Sequence, residues 1–417
     1  MRAKIRFVAI LILSSIATFS YAEEVQPDST KRDTLQKPDA VKSAEKKSEW
    51  YEKISIRGYV QVRYNQLLET NPNLTCDQCD RSMGGNGGFF LRRIRVIFSG
   101  QLSERMYFYV QPDFASSPDG TNLQFAQIRD AYFDLGLDKN NEFRFRIGQS
   151  KVPYGFENMQ SSQNRLPLDR NDALNSSLSN ERDLGVFFYW APKETRKLFS
   201  YLVSSGLKGS GDYGVLGLGV FNGQTANRNE ANEQPHFVAR LTYPVKVGAK
   251  QIIEPSIQAY TGKHVIQTVS AGVKSDRPNN EFIDERVAAT FVLYPQPFGI
   301  QAEYNVGRGP KFNPSTNTIQ VQGLTGGYVT ATYQLKFGNH LFFPFSRYHY
   351  YDGGKKFERD ARSYLVREWE IGTEWQPFRN FEFVAMYTMS QRRFEDGLKP
   401  VNFQRGNLLR LQAQLNF

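Results

Sequence analysis

The chain has 417 residues, 40% of them hydrophobic, with a mean hydropathy of −0.52, and no run of about 18 apolar residues exists to cross a bilayer as a helix. Aromatic residues reach 14%, with 32 Phe and 22 Tyr, a level that suits the interface girdles of a membrane β-barrel better than a soluble domain. The formal net charge is +10, which in an exported protein points to an anionic solute rather than to nucleic acid.

Export is read from the first residues. Arg2, Lys4 and Arg6 precede a short apolar run over 7–19, and Ser20-Tyr21-Ala22 places small residues for a cut before Glu23. Loss of those three basic residues takes the net charge from +10 to about +7. Residues 23–53 are polar and charged, contain Pro27 and Pro38 and lack a clean heptad; they read as a flexible periplasmic leader. The expected organisation is a signal peptide over 1–22, the leader over 23–53 and a transmembrane β-barrel over 54–417.

From Ile54 the chain alternates with a period of two. Ile54, Ile56, Gly58, Val60, Val62 and Tyr64 take one face, and Arg57, Tyr59, Gln61, Arg63 and Asn65 the other. Sixteen such segments are predicted, near 54–66, 88–101, 104–113, 124–137, 142–150, 183–191, 213–222, 235–244, 250–263, 283–295, 298–308, 321–336, 341–351, 363–376, 381–392 and 405–417. The last is the clearest. Leu409, Leu411, Ala413, Leu415 and Phe417 oppose Arg410, Gln412, Gln414 and Asn416, as a closing strand between lipid and water requires. Residues 198–211 are assigned to a long turn; two short strands there would raise the count to eighteen.

The connections alternate in length. Short turns such as 103–104 and 296–297 are expected on the periplasmic side. Long outer loops are expected at 67–87, 151–182, 223–234, 264–282, 309–320, 352–362 and 393–404. Trp190, Tyr243, Tyr294 and Trp375 are each followed closely by proline, so a ring at the interface and a stop to the ladder are expected there. The fold class is therefore an all-β, antiparallel, sixteen-stranded transmembrane barrel in the outer membrane of a Gram-negative bacterium.

Several early-strand arginines fall on the polar face: Arg57, Arg63, Arg93, Arg95, Arg144 and Arg146. Pointing outward, each would cost about 2–4 kcal/mol at the lipid midplane, so they are expected to line the lumen and attract anions. The longest loop, 151–182, is expected to fold inward and to add Lys151, Arg165 and Arg170. Acids at inward positions (Asp113, Asp130, Asp134, Glu254, Glu303, Glu370, Glu374 and Glu382) gather on later strands, so a transverse field across a mixed, non-selective pore is the alternative. In the fourth segment Arg129 would face lipid unless a bulge or a position at the upper interface absorbs it.

Other chemistry is thin. Cys76 and Cys79 are expected to form a local disulfide, with free thiols or a metal as alternatives. No metal site or cofactor is expected, and His236, His264, His340 and His349 are scattered. The sequence has no G-x-S-x-G, H-E-x-x-H or Walker loop, so an enzyme or structural anchor built on the barrel is the different-class alternative to a pore.

The chain resembles the phosphate-selective porin O and P family over most of 54–417. The carriers are Leu91-Arg92-Arg93-Ile94-Arg95, Arg129-Asp130-Ala131-Tyr132, the run from Ile147 to Gly155 and Glu181-Arg182-Asp183-Leu184-Gly185-Val186, with weaker support from 219–223 and 237–240. The resemblance implies a trimeric channel for small anions, phosphate or similar, with a third loop folded inward. Here the inner loop offers Lys151, Arg165 and Arg170 in place of a lysine cluster.

Overall fold

In a computed structural model the described residues are 49–68, 74, 88–116, 125–248 and 250–417. The signal peptide, the leader up to residue 48, and Cys76 and Cys79 lie outside them. The strands in chain order are β1 (Ile54–Leu67), β2 (Gly88–Ser103), β3 (Met106–Ser116), β4 (Phe125–Gly136), β5 (Phe143–Lys151), β6 (Arg182–Trp190), β7 (Leu216–Phe221), β8 (His236–Thr242), β9 (Val245–Val247), β10 (Gln251–Val265), β11 (Lys274–Ser275), β12 (Glu281–Leu293), β13 (Phe298–Asn313), β14 (Thr318–Tyr333), β15 (Leu335–Phe337), β16 (His340–Gly354), β17 (Ser363–Phe378), β18 (Phe381–Glu395) and β19 (Phe403–Asn416).

Sixteen of these form one closed antiparallel barrel, and the three short ones are accessory. β9 and β15 extend their hairpins with β10 and β16, and β11 runs parallel to the start of β14. Closure joins the last strand to the first. Tyr59 pairs with Asn416 and Leu67 with Leu408, and Phe417 and Gly58 exchange backbone hydrogen bonds at 3.0 and 2.8 Å. No described helix is long and apolar enough to cross a membrane; the strands do the crossing.

The alternation sorts as expected. Ile56, Phe133, Phe237, Ile257, Ile371 and Leu415 stand exposed on the outside, while Arg63, Arg286, Arg347 and Arg410 are buried inside. This reverses a water-soluble protein and is what a barrel in lipid needs.

Two β-bulges solve a local problem in the pattern. Gln61 pairs with Arg93 while Val62 pairs with Leu91, so Arg92 is the extra residue on β2. Likewise Gln111 pairs with Asp130 and Pro112 with Ile128, so Arg129 is the extra residue on β4. A bulge lets two successive residues escape strict alternation. Arg92 reaches Asp169 of the inner loop at 3.8 Å, and Arg129 donates to the Asn180 carbonyl at 3.3 Å.

Four expectations change. β13 and β14 meet through only the short turn after Asn313, so most of the loop expected over 309–320 is strand. Tyr294 is buried and donates to Glu254 at 2.5 Å: it keeps the parity of the inward residues of β12, Val292 among them, so its ring falls on the inner face instead of the interface. The long turn after β6 contains a helix, Lys193–Ser204, which leaves the barrel at sixteen strands. Charge is also not segregated across the lumen, because Arg240, Arg286, Arg347, Arg392 and Arg410 on later strands are all buried inward beside acids.

Candidate functional site: a basic cavity beside an inward loop

The connection from β5 to β6 folds into the barrel as expected, and nearly every residue of 151–183 is buried. It holds two short helices, α1 (Phe156–Met159) and α2 (Asp172–Ser177). Gly155 opens α1 with φ +79°, and a Cβ there would sit 2.2 Å from Leu174, so both backbone and space demand glycine. The Asn171 side chain caps α2 by accepting from the Leu174 amide at 3.2 Å.

Carboxylates of this loop meet arginines of the wall. Glu157 accepts from Arg347 at 2.7 Å and from the Asn171 backbone and side chain at 2.8 and 2.9 Å. Asp169 pairs with Arg63 at 3.4 Å and with Arg410. Asp172 pairs with Arg392 at 2.9 Å and Lys355 at 2.5 Å. Arg286 donates to the Ser176 hydroxyl at 2.6 Å, and the Tyr154 hydroxyl donates to Asn305 at 2.7 Å. The loop is thus tied to β1, β12, β13, β16, β18 and β19, right across the lumen. Burial alone would raise the carboxyls of Asp169 and Asp172. The arginines beside them, with Lys355 at Asp172, hold both well below the usual carboxylate range.

The motif Glu181-Arg182-Asp183 has a structural basis. Glu181 receives Arg165 at 2.9 Å, Arg170 at 3.1 Å and Arg182 at 2.5 Å. Despite burial, these cations with Lys151 hold its carboxyl well below its ordinary value. Asp183 accepts the backbone amides of Leu184, Gly223 and Thr225 at 2.8, 2.7 and 3.2 Å, fixing β6 to the loop after β7.

The sequence-derived arginines therefore separate into groups. Arg165 and Arg170 lie within the loop, on Glu181. Arg63 and Arg95 sit between wall and loop, and Arg93 stays on the wall. Arg93 donates to Gln61 at 2.7 Å; Arg95 pairs with Asp113 at 2.8 Å and donates to Ser162 at 3.1 Å. Arg57, Arg144, Arg146 and Lys151 instead line a cavity of about 560 Å³ against β2 to β6. It lies toward the short-turn end, bordered by Arg105 and Asn141 of the turns and by the helix after β6, α3 (Lys193–Ser204).

This cavity carries seven basic side chains, Arg57, Arg105, Arg144, Arg146, Lys151, Arg182 and Arg196, against three carboxylates, Asp130, Asp134 and Asp212. Arg146 grips Asp134 through two bonds of 2.8 and 2.9 Å and lies 4.0 Å over the Tyr132 ring. Arg182 pairs with Asp130 at 2.9 Å and Arg144 with Asp212 at 2.8 Å. Among the described residues Lys151 donates to the carbonyls of Met159 and Gln160, at 3.1 and 2.8 Å. Among the described residues no carboxylate lies within ion-pair distance of Arg57, Arg105 or Lys151.

Sequence reasoning missed Arg105, which sits in a turn outside any alternating pattern, and Tyr213 of the cavity wall. It also missed α3, whose signal was present: Pro192 precedes it, and Thr195, Phe199 and Leu202 share one buried face. Asp172, His349 and Glu368 lie close enough to suggest a metal. Lys355 and Arg392 already occupy those carboxylates, so the group reads as an ion-pair cluster.

No curated protein sequence matches the chain. Among solved structures it is similar to the outer-membrane channel DcaP of Acinetobacter baumannii, at 12% identity and a TM-score of 0.55, over 87% of this chain and 97% of that one. It is similar to OmpF of Salmonella typhi, solved with daunomycin, at 11% identity and a TM-score of 0.56, over 87% and 97%. OmpT of Vibrio cholerae in its trimer form gives 9% identity and a TM-score of 0.54, over 87% and 99%. At such identities the likeness is one of fold. The family model of the phosphate-selective porin O and P matches residues 74–417, most of the chain, and so the protein belongs to that family of porins.

Proposed function

We propose that the barrel is a passive outer-membrane pore for small hydrophilic anions, phosphate or similar, and that the cavity along β2 to β6 is where the anion is drawn in. The observation that carries this is the cavity's excess of cations, with Arg57, Arg105 and Lys151 lacking any carboxylate within ion-pair distance among the described residues. Such charges raise the local anion concentration, and many weak contacts let the anion leave again. Arg144 and Arg146 shape the same wall, but each shares its charge with a carboxylate. Arg63, Arg95, Arg165 and Arg170 serve by holding the inner loop that narrows the lumen, and Arg93 braces Gln61 on the wall. A non-selective pore is the second reading, favoured by the density of paired charges.

In this reading residues 1–22 direct export and residues 23–53 form a periplasmic leader. The neighbour solved in a trimer form supports a homotrimer here.

Reversal potential in a KCl gradient across a planar bilayer tests the assignment. R57Q/K151Q should move it toward the cation value. R165Q/R170Q loosens the inner loop and should act mainly on single-channel conductance, moving the reversal potential less than R57Q/K151Q does. Equal effects of the two pairs, or none from the first, would remove the cavity from the selectivity mechanism.

A further inference from the structure

The segment between β6 and β7, residues 191–215, enters the lumen from the end opposite the inner loop. Its helix α3 buries Phe199 and Leu202, and Leu202 and Leu207 pack on Phe156 of the inner loop and on Ile252, Val292 and Tyr294 of the wall. Beyond the helix, Lys208 crosses to β17, where its ammonium donates to Glu374 at 2.5 Å and lies 4.9 Å over the Phe343 ring. The Lys208 carbonyl accepts from Gln160 of the inner loop at 2.8 Å. The segment is therefore tied to the inner loop and to a distant part of the wall.

Its next turn reaches the basic cavity. Asp212 pairs with Arg144 at 2.8 Å and with Arg196 at 2.8 Å, and its backbone carbonyl accepts from Arg144 at 2.9 Å. Arg144 also lies 3.9 Å from Asp134. Two buried polar atoms at this spot have no hydrogen-bond partner, Nη1 of Arg144 and the hydroxyl of Ser210, and both residues line the cavity. Both atoms are closed off from the lumen, so they mark incomplete satisfaction of the contact between this segment and the wall.

We propose that residues 191–215 form a second constriction, supplied from the short-turn end, and that Asp212 on it is a specificity-determining residue. Asp212 masks Arg144 and Arg196 and so sets how strongly the cavity favours anions, while Lys208 is the positioning residue that keeps the segment in the path. This rests on the reading of the barrel as an open pore, and goes beyond it by assigning selectivity to the short-turn side.

The test is D212N in the full-length protein in planar bilayers. Removal of the masking charge should raise the anion-to-cation permeability ratio about two-fold or more relative to the wild type. R144Q should lower it, because the cavity loses a cation while Asp212, still paired with Arg196, keeps its charge, and the double variant should fall between. K208Q should raise single-channel conductance and bring the ratio closer to one. D212S, also uncharged, repeats the D212N reading should that variant assemble poorly. A wild-type ratio in both Asp212 variants overturns the assignment of Asp212, and wild-type conductance in K208Q overturns the anchor. The D212N effect is a shift from whatever the wild type shows. A cation-preferring wild type would therefore refute the anion reading while the masking role remains measurable.

Discussion

Arg347 shows how a hydrophilic lumen is made rigid. It is fully buried, donates to Glu157 on the inner loop at 2.7 Å, pairs with Glu370 on the neighbouring strand, and donates to the Asp169 carbonyl at 2.9 Å. Removing one partner from such a cluster leaves buried charge without compensation, typically at a cost of about 3–5 kcal/mol. R347M should therefore lower stability by about that much in urea unfolding from lipid vesicles; a loss under about 1 kcal/mol would mean that water already solvates Glu157 and Glu370. At this scale the sequence was readable wherever a residue's position in a strand decided its side. Arg63, Arg144 and Glu370 could be placed inside from parity alone. Partners could not be read, because Arg347 and Glu157 are 190 positions apart and only the folded loop brings them together.

Among the elements, the inner loop behaves as a clamp closed by ion pairs. Asp169, Asp172 and Glu181 would be raised by burial, but neighbouring arginines and lysines outweigh this and hold them well below 3.8, 3.8 and 4.5. In a released loop they would titrate near those ordinary values. Groups depressed in the closed state contribute stability that is complete above the ordinary range and is lost as pH falls through the lower, closed-state values. Backbone amides of 156–177 should keep constant protection from hydrogen exchange, after correction for intrinsic rates, from about pH 8 to about pH 5, and lose it only below about pH 4. Loss of protection near neutral pH would contradict the clamp.

The strands themselves were legible because period-two sorting between lipid and water leaves little freedom, and all sixteen expected segments appear with small shifts at their ends. The conflict at Arg129 was also legible, since an arginine next to an inward aspartate on a lipid-facing strand needs an escape, but parity could not choose between a bulge and the upper interface; the bulge is the outcome. Helix α3 was hidden for the opposite reason. Its apolar residues face not lipid but the inner loop and the inner side of the wall at Ile252 and Val292, so barrel periodicity has no bearing on them.

Over the whole molecule, one closed sheet separates an apolar exterior from an interior dense in charge. Two inward segments, one from each end, press the remaining space toward the wall of β2 to β6, where cations outnumber carboxylates. The net charge of +10 hinted at an anionic partner, but total charge cannot locate a preference. Most lumen arginines are matched by acids, and the surplus becomes visible only once the ion pairs are known. The claim that this surplus governs permeation is tested most directly by the reversal potential of the wild-type channel in a tenfold KCl gradient. Stepwise conductance with a reversal potential displaced toward the chloride equilibrium value is the predicted result; displacement toward the potassium value, or none, would contradict the account.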